Sequence, residues 1–413
     1  MNSSSCAIVS ELDFPDTKVG KSGMPSILNT ADNLIALLAL YGYETKINLM
    51  TLEPEVFNQS VCLGSPEVIR SKLVSWCSIH SVPKAAIDDH LAAIAQSNPY
   101  HPVKEWLDSD SWDGKARVDD VLRCLETTDD KLTNTILKRW LVGCVASLLV
   151  PNFKSKLVPI FIGDQSFRKT AFIERIAAVS CGAFLEGAEL NPDNKDSVLS
   201  VIRSWIVELG ELERTTSHSQ GSLKAFITRS VDTVRPPYAR VDIKKARQTN
   251  LIATVNGSNF LKDQTGNSRY AAIELIEQTD MDTLNNLLGW QYKQTGELKL
   301  VDENKLRQFW LEVRYLFEVD EFSWNLSQEE QVLVGQQTQK FVDKGDYYTV
   351  LKDHLANYQG NEQGWFTSTQ ICRFVSIHAS KSNMVGKALA MLTDEGNIDR
   401  KFSGGVNKYL FPL

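Results

Sequence analysis

Between Ser155 and Ile176 the chain reads SKLVPIFIGDQSFRKTAFIERI, an apolar strand, a short polar loop and then a helix. No other stretch narrows the choice of folds as much. The loop is Gly163-Asp164-Gln165-Ser166-Phe167-Arg168-Lys169-Thr170. It follows the phosphate-cradling P-loop pattern G-x-x-x-x-G-K-[ST] at every position but one, because Arg168 stands where the second glycine belongs. Backbone N–H groups and a helix N-terminus attract phosphate, the Lys169 ammonium adds charge, and the Thr170 hydroxyl can hold Mg²⁺. The expected ligands are therefore ATP and Mg²⁺, held by Gly163, Asp164, Gln165, Ser166, Arg168, Lys169 and Thr170. A side chain in left-handed backbone costs about 1–2 kcal/mol. Either Arg168 turns outward and nucleotide binds weakly, or the loop no longer works. Returning position 168 to glycine is expected to strengthen binding or turnover.

The surrounding texture gives the fold class. From Leu157 onward, short apolar runs (Val158–Ile162, Trp205–Leu209, Asn250–Val255) alternate with helical patterns, which means a largely parallel sheet with crossover helices. The expected class is α/β, with a P-loop core over residues 151–290. Residues 1–97 read as a mainly helical domain and 98–150 as a helical lead-in. Residues 291–360 read as a helical segment, with an apolar stripe over Asp302–Phe317 and a polar-faced helix over Gln328–Tyr358. Residues 361–413 carry two amphipathic helices and a Gly404-Gly405 hairpin, the order of a winged helix, with Lys381, Lys387, Arg400, Lys401 and Lys408 suited to phosphate contacts; the plain alternative is a small interaction module that closes the fold.

Bulk numbers exclude some classes. At 413 residues, 43% hydrophobic and 23% charged, the chain can bury several cores. A net charge of −7 rules out a globally basic nucleic-acid coat. The seven cysteines are scattered without a C-x-x-C pair, which argues for reduced thiols and against a disulfide frame or zinc site. No apolar run approaches the roughly 18 residues of a membrane span. A soluble, cytoplasmic protein without a membrane partner is expected.

Four further segments carry chemistry. Ser204–Leu212 reads SWIVELGEL, an apolar strand ending in Glu208 and Glu211. Beside a phosphate loop, one such carboxylate binds Mg²⁺ (Glu208, with Thr170) and another orients the attacking water; alone, the run is an ordinary strand exiting through acids. Leu223–Gln248 holds seven cations against two acids, a local net charge of +5 in 26 residues. A projecting hairpin with Lys244 and Lys245 at its tip, and with Arg235 and Arg240 nearby, would track a DNA backbone; the plain alternative is a solvated charged face. The strand Asn250–Val255 delivers Asn256, an amide able to position water between carboxylate and phosphate. Arg269, in a following turn, is a candidate finger for a neighbouring subunit's site; the plain alternative is an ordinary salt-bridge residue.

Taken in order, these segments resemble the virulence-associated protein E family: strand–P-loop, E-L-x-E-L, K-A-F-I-T-R-x-x-D-x-x-R-x-P-Y (Lys224–Tyr238), strand–Asn256, and D-x-T-G-N-x-R-Y (Asp263–Tyr270). The lead-in Asn98–Arg117 is similar too, so the resemblance covers about residues 98–290, and more weakly the chain from Asn29. The family is similar to superfamily 3 helicases of phages and mobile elements. The resemblance implies an AAA+-like ATPase forming a hexameric homo-oligomeric ring on single- or double-stranded DNA during replication. By position it makes Lys169 and Thr170 the phosphate and Mg²⁺ residues, Glu208 and Glu211 the acidic motif, Asn256 the sensor and Arg269 the finger. Ser166 and Arg168 depart from it, since relatives carry glycines there. An ATP-dependent helicase or initiator of a phage or phage satellite is thus expected; an ATPase-deficient DNA-binding initiator or regulator, and a ring-forming scaffold, stay open.

Overall fold

The computed structural model describes residues 14–21, 23–59, 61–210, 220–235, 242–257, 261, 269–319, 322–360 and 362–412. At the N-terminus, strands β1 (Thr17–Val19) and β2 (Pro25–Ile27) pair antiparallel. Helix α1 (Ala31–Leu40) follows, capped by the Thr30 hydroxyl, which accepts from the Asn33 N–H. Strands β3 (Glu44–Asn48), β4 (Pro54–Asn58), β5 (Val61–Cys62) and β6 (Pro99–Tyr100) form one sheet in the order β5-β4-β3-β6. Helices α2 (Pro66–Ile79) and α3 (Ala85–Gln96) complete the module around Leu34, Leu37, Val56, Leu73 and Ala86. The expected helices are present, but the mainly helical reading missed this sheet. Its strands are short and mixed in polarity, so they show no clean alternation.

The turn between β3 and β4 leaves the module. Met50 is buried in the main core, and Leu52, at φ 65°, packs on a second cluster. Glu53 pairs with Arg203 at 3.2 Å.

Helices α4 (Pro102–Asp108) and α5 (Val118–Leu122) lead into α6 (Asp130–Leu149), whose first turn is capped by Asp129. Helix α6 is buried nearly all round, which is why it lacks a polar stripe. Its Trp140 indole N–H donates to the Leu251 carbonyl, and the Trp205 indole N–H donates to the Cys144 carbonyl. Each large apolar side chain buried here contributes about 1.5–3 kcal/mol.

The central sheet comprises β7 (Val158–Ile162), β8 (Phe184–Leu185), β9 (Ile206–Leu209), β12 (Asn250–Val255) and β13 (Tyr270–Glu274). All pairings are parallel, in the order β13-β7-β12-β9-β8. Its faces separate by alternation: Phe161 and Ile252 face one core, while Ile160, Ile162, Leu251 and Ala253 face the other. Helices α7 (Lys169–Ala177), α10 (Met281–Leu288) and α11 (Glu303–Glu318) cover the first face with α6. Helices α8 (Lys195–Ile202) and α9 (Gln220–Ile227) cover the second. Burial on both faces explains why the runs in the sequence are largely apolar and do not alternate.

Strands β10 (Val231–Val234) and β11 (Ile243–Ala246) form a separate antiparallel pair, as do β14 (Trp290–Tyr292) and β15 (Leu298–Leu300). The helix expected over Gln328–Tyr358 is two, α12 (Gln328–Gln339) and α13 (Asp346–Asn357), broken before Gly345 at φ 77°. Helix α13 belongs to the C-terminal unit: strand β16 (Gln363–Phe366), helices α14 (Ser368–Phe374) and α15 (Ser382–Asp394), then β17 (Arg400–Ser403) and β18 (Val406–Pro412). Gly404 and Gly405 both have positive φ, as a two-residue hairpin turn demands. Among the described residues no helix is long and apolar enough to cross a membrane.

Candidate functional site

The C-terminal ends of β7, β9 and β12 open on one cleft of about 780 Å³. Crevices beyond the carboxyl ends of parallel strands are where open α/β sheets bind ligands. Gln165, Arg168, Lys169, Thr170, Glu208 and Asn256 all line it.

The 163–170 loop is folded on itself. A Cβ at Gly163 would lie 2.7 Å from a ring carbon of Phe167, so glycine is required by close approach. Lys169 begins α7 and is only 5% exposed. Its ammonium donates to the Gly163 carbonyl (2.7 Å), the Asp164 carbonyl (2.8 Å) and the Asn256 side-chain oxygen (3.0 Å). Burial lowers its pKa, and Asp164 and Glu208 act in the opposite direction. Ser166 is an exposed loop residue. Arg168 sits at φ 59°, ψ 32°, the left-handed region that the sequence pattern reserves for glycine.

Glu208 is 1% exposed and fully engaged. It accepts from the Thr170 hydroxyl (2.6 Å), the Thr254 hydroxyl (2.7 Å) and the Gly187 N–H (3.2 Å). Strand β12 lies between β7 and β9, which sets Asn256 between Lys169 and Glu208.

The cleft also contains residues that the sequence did not single out. Glu174 on α7 and Glu186 after β8 line it. Burial raises the Glu186 pKa, and the charges of Glu208 and Glu174 add to the effect. The loops after β8 and β9 touch backbone to backbone, since a Cβ at Gly210 would lie 3.0 Å from the Gly187 Cα. The available signal was Phe184-Leu185-Glu186-Gly187, which repeats the apolar-then-acid texture of Val207-Glu208-Leu209-Gly210, but β8 is only two residues long.

Other candidates fall elsewhere. Arg269 precedes β13, whose first residue pairs with Val158 at the start of β7. It lies at the opposite end of the sheet, about 15 Å from the cleft by strand rise, so it does not join this site. Glu211 and Arg240 lie outside the described residues.

The basic hairpin differs from the expected arrangement. Neither lysine is at a tip: Arg235 is exposed just beyond β10, Lys244 is exposed on β11 opposite Thr233, and Lys245 lies one residue further from the turn. It pairs with Asp232 in mid-ladder, points inward and is 6% exposed. Its ammonium donates to the Met50 carbonyl and to the Ile202 carbonyl (2.6 Å). Burial pulls its pKa down to about 7. Arg247 is internal as well, forming a buried ion pair with Asp232 at 2.7 Å and stacking 4.1 Å from the Phe226 ring centroid. Two of the tract's seven cations therefore hold the hairpin base to the core, because alternation along β11 turns Ile243 and Lys245 inward together.

The site and the parallel sheet define a mixed α/β protein with a polar cleft at its strand ends. Residues 107–343 match the family model described as the virulence-associated protein E-like domain, and the chain belongs to that family. Among solved structures, the chain is similar to two apo structures of the NrS-1 C terminal region. One gives a TM-score of 0.46 at 12% identity, covering 92% of this chain and 98% of that one. An A form apo structure gives 0.47 at 11%, covering 92% and 99%. No curated protein matches the chain.

Proposed function

We propose that the protein is an ATP-dependent DNA motor, a helicase or replication initiator of a phage or phage satellite, working as a ring of identical subunits. The observation that carries the reading is the meeting of Lys169, Thr170, Glu208 and Asn256 in one cleft, drawn from three strand ends far apart in sequence. This is the polar layout an AAA+-like P-loop core needs. A carboxylate strand stands one strand away from the loop strand, with the amide between them.

The residues fit a nucleotide with Mg²⁺. The Lys169 ammonium, the Arg168 guanidinium and the N-terminus of α7 supply positive potential for phosphate. The hydroxyl of Thr170 and the carboxylate of Glu208 are hard oxygen donors of the kind Mg²⁺ takes. When bound, the metal neutralises charge on the phosphates. Glu208 is placed to hold the metal side of the site and Asn256 to orient a water beside Lys169. The finger role of Arg269 requires a neighbouring subunit, because its own cleft is out of reach.

DNA contact would fall to the outward face of the β10–β11 hairpin, through Lys244, and to the C-terminal unit. Its helix–strand–helix–helix–strand–strand order supports a winged helix, with Lys401 resting 4.0 Å from the Trp365 ring centroid. The left-handed Arg168 favours a second reading, a DNA-binding initiator or regulator with little or no ATP turnover. ATP hydrolysis measured with and without single-stranded DNA, with Lys169→Ala as control, separates the two. DNA-stimulated turnover lost in the variant supports the motor; DNA binding without turnover in the wild type supports the regulator.

A further inference from the structure

Arg168 departs from the loop pattern, and its surroundings give that departure a use. Its left-handed backbone carries strain that glycine would avoid. Strain that persists at a cleft is a starting point for a functional hypothesis. The side chain is exposed and lines the cleft with Lys169, Glu174, Glu186 and Glu208. Among the described residues its guanidinium makes no hydrogen bond or ion pair, despite three carboxylates lining the same cleft. Lys169 differs, since all three of its N–H donors are engaged within the protein. A polyphosphate must displace those bonds to reach Lys169, whereas the five donors of Arg168 are open to it. The planar guanidinium also matches phosphate bidentately.

Charge points the same way. Beyond Glu208, which is assigned to the metal, Glu174 and Glu186 oppose an anionic ligand here, and Lys169 alone does not offset them. The ligand with one more phosphate needs the second cation most. We propose that Arg168 reads the phosphate that distinguishes a nucleoside triphosphate from a diphosphate, which makes the cleft selective for the triphosphate. This rests on the nucleotide reading above.

The proposal reverses the sign expected from backbone cost alone. If Arg168 is left-handed with and without ligand, the strain is common to both states and cancels from affinity. It remains in folding stability. Arg168→Gly therefore raises the melting temperature of the free protein while weakening triphosphate binding. Loss of one charge-assisted contact corresponds to about tenfold or more in affinity.

The test is equilibrium titration of the full chain, in Mg²⁺, with ADP and with a non-hydrolysable ATP analogue. The proteins compared are wild type, Arg168→Gly, Arg168→Lys and Lys169→Ala. Expected are an analogue affinity about tenfold lower in Arg168→Gly, a smaller loss for ADP, partial recovery in Arg168→Lys, and a higher melting temperature for the glycine variant. Analogue binding by Arg168→Gly as tight as or tighter than wild type overturns the proposal, as does an equal loss for both nucleotides. Failure of the nucleotide reading itself looks different: wild type and Lys169→Ala would then bind equally, or neither would bind, and the proposal would fall with it.

Discussion

Replacing Lys245 with methionine should flatten the pH dependence of folding stability. The ammonium is enclosed by the β3–β4 turn, the end of α8 and the base of the hairpin, and its partners are the Met50 and Ile202 carbonyls. Burial lowers its pKa from 10.5 to about 7, Asp232 opposes that shift, and Arg203 and Arg247 reinforce it. The charged form is thus disfavoured in the folded chain. Between pH 7 and 10.5 the unfolded chain holds one more proton here than the folded chain, so this group makes stability rise with pH. The slope approaches about 1.36 kcal/mol per pH unit, which gives about 2–3 kcal/mol between pH of about 7.5 and about 9.5. His101, buried nearby, is pushed down to about 4 and titrates below this window. Urea titrations across the range, on wild type and Lys245→Met, isolate the term as a difference in slope. The neutral-pH offset mixes relief of a buried charge with two carbonyls left without a donor, which act in opposite directions; the slope difference is free of both. Parallel curves for the two proteins would refute the buried-lysine account.

Three other outcomes follow from the same geometry. Glu208→Gln should leave nucleotide binding largely intact and slow hydrolysis by about 10²-fold or more, measured by steady-state turnover in an active preparation; unchanged turnover would make this strand structural. Lys244→Ala should weaken single-stranded DNA binding and reduce its salt slope by about 0.7, the value for one lost phosphate contact. That single variant is the clean test of the hairpin, because a change at Lys245 also disturbs the core. Asp232→Ala should destabilise the fold by about 3–5 kcal/mol in chemical denaturation, since it leaves Arg247 buried without its partner; a loss below about 1 kcal/mol would mean that the pair is solvated.

The parts of this fold that were legible share a physical cause. Val158–Ile162 and Asn250–Val255 are buried on both faces, so burial wrote itself into largely apolar runs without alternation. Lys169, Thr170, Glu208 and Asn256 were legible because each lies within a residue of a strand end or a helix start, and parallel strands bring such ends together. Strand order was not legible, since β7 and β12 pair across about ninety residues and no local pattern encodes that partnership. The hairpin misled for the opposite reason. Its inward positions hold Asp232 and Lys245 beside Val234 and Ile243, with Arg247 buried just past β11, while Val231 and Ala246 face out. The usual rule that polar residues face water is inverted there, and only the internal pairing of the charges makes that tolerable.

That inversion bears on how the two ends of the proposed motor would communicate. A loosely tethered hairpin could move without affecting the sheet. This one is fixed at its base by the Asp232–Arg247 pair and by Lys245, and the chain then passes from Arg247 into β12 at Asn250. Six residues later, about 20 Å along a strand, it reaches Asn256, whose side chain accepts from Lys169. The route from hairpin base to phosphate loop is therefore three buried or half-buried residues, Arg247 to Thr249, followed by strand β12, with an ion pair at one end and a hydrogen bond at the other. Force applied to the outward face at Lys244 has a short covalent path to the residue that holds the cleft's buried ammonium, and no flexible linker interrupts it among the described residues from Asp242 to Gly257.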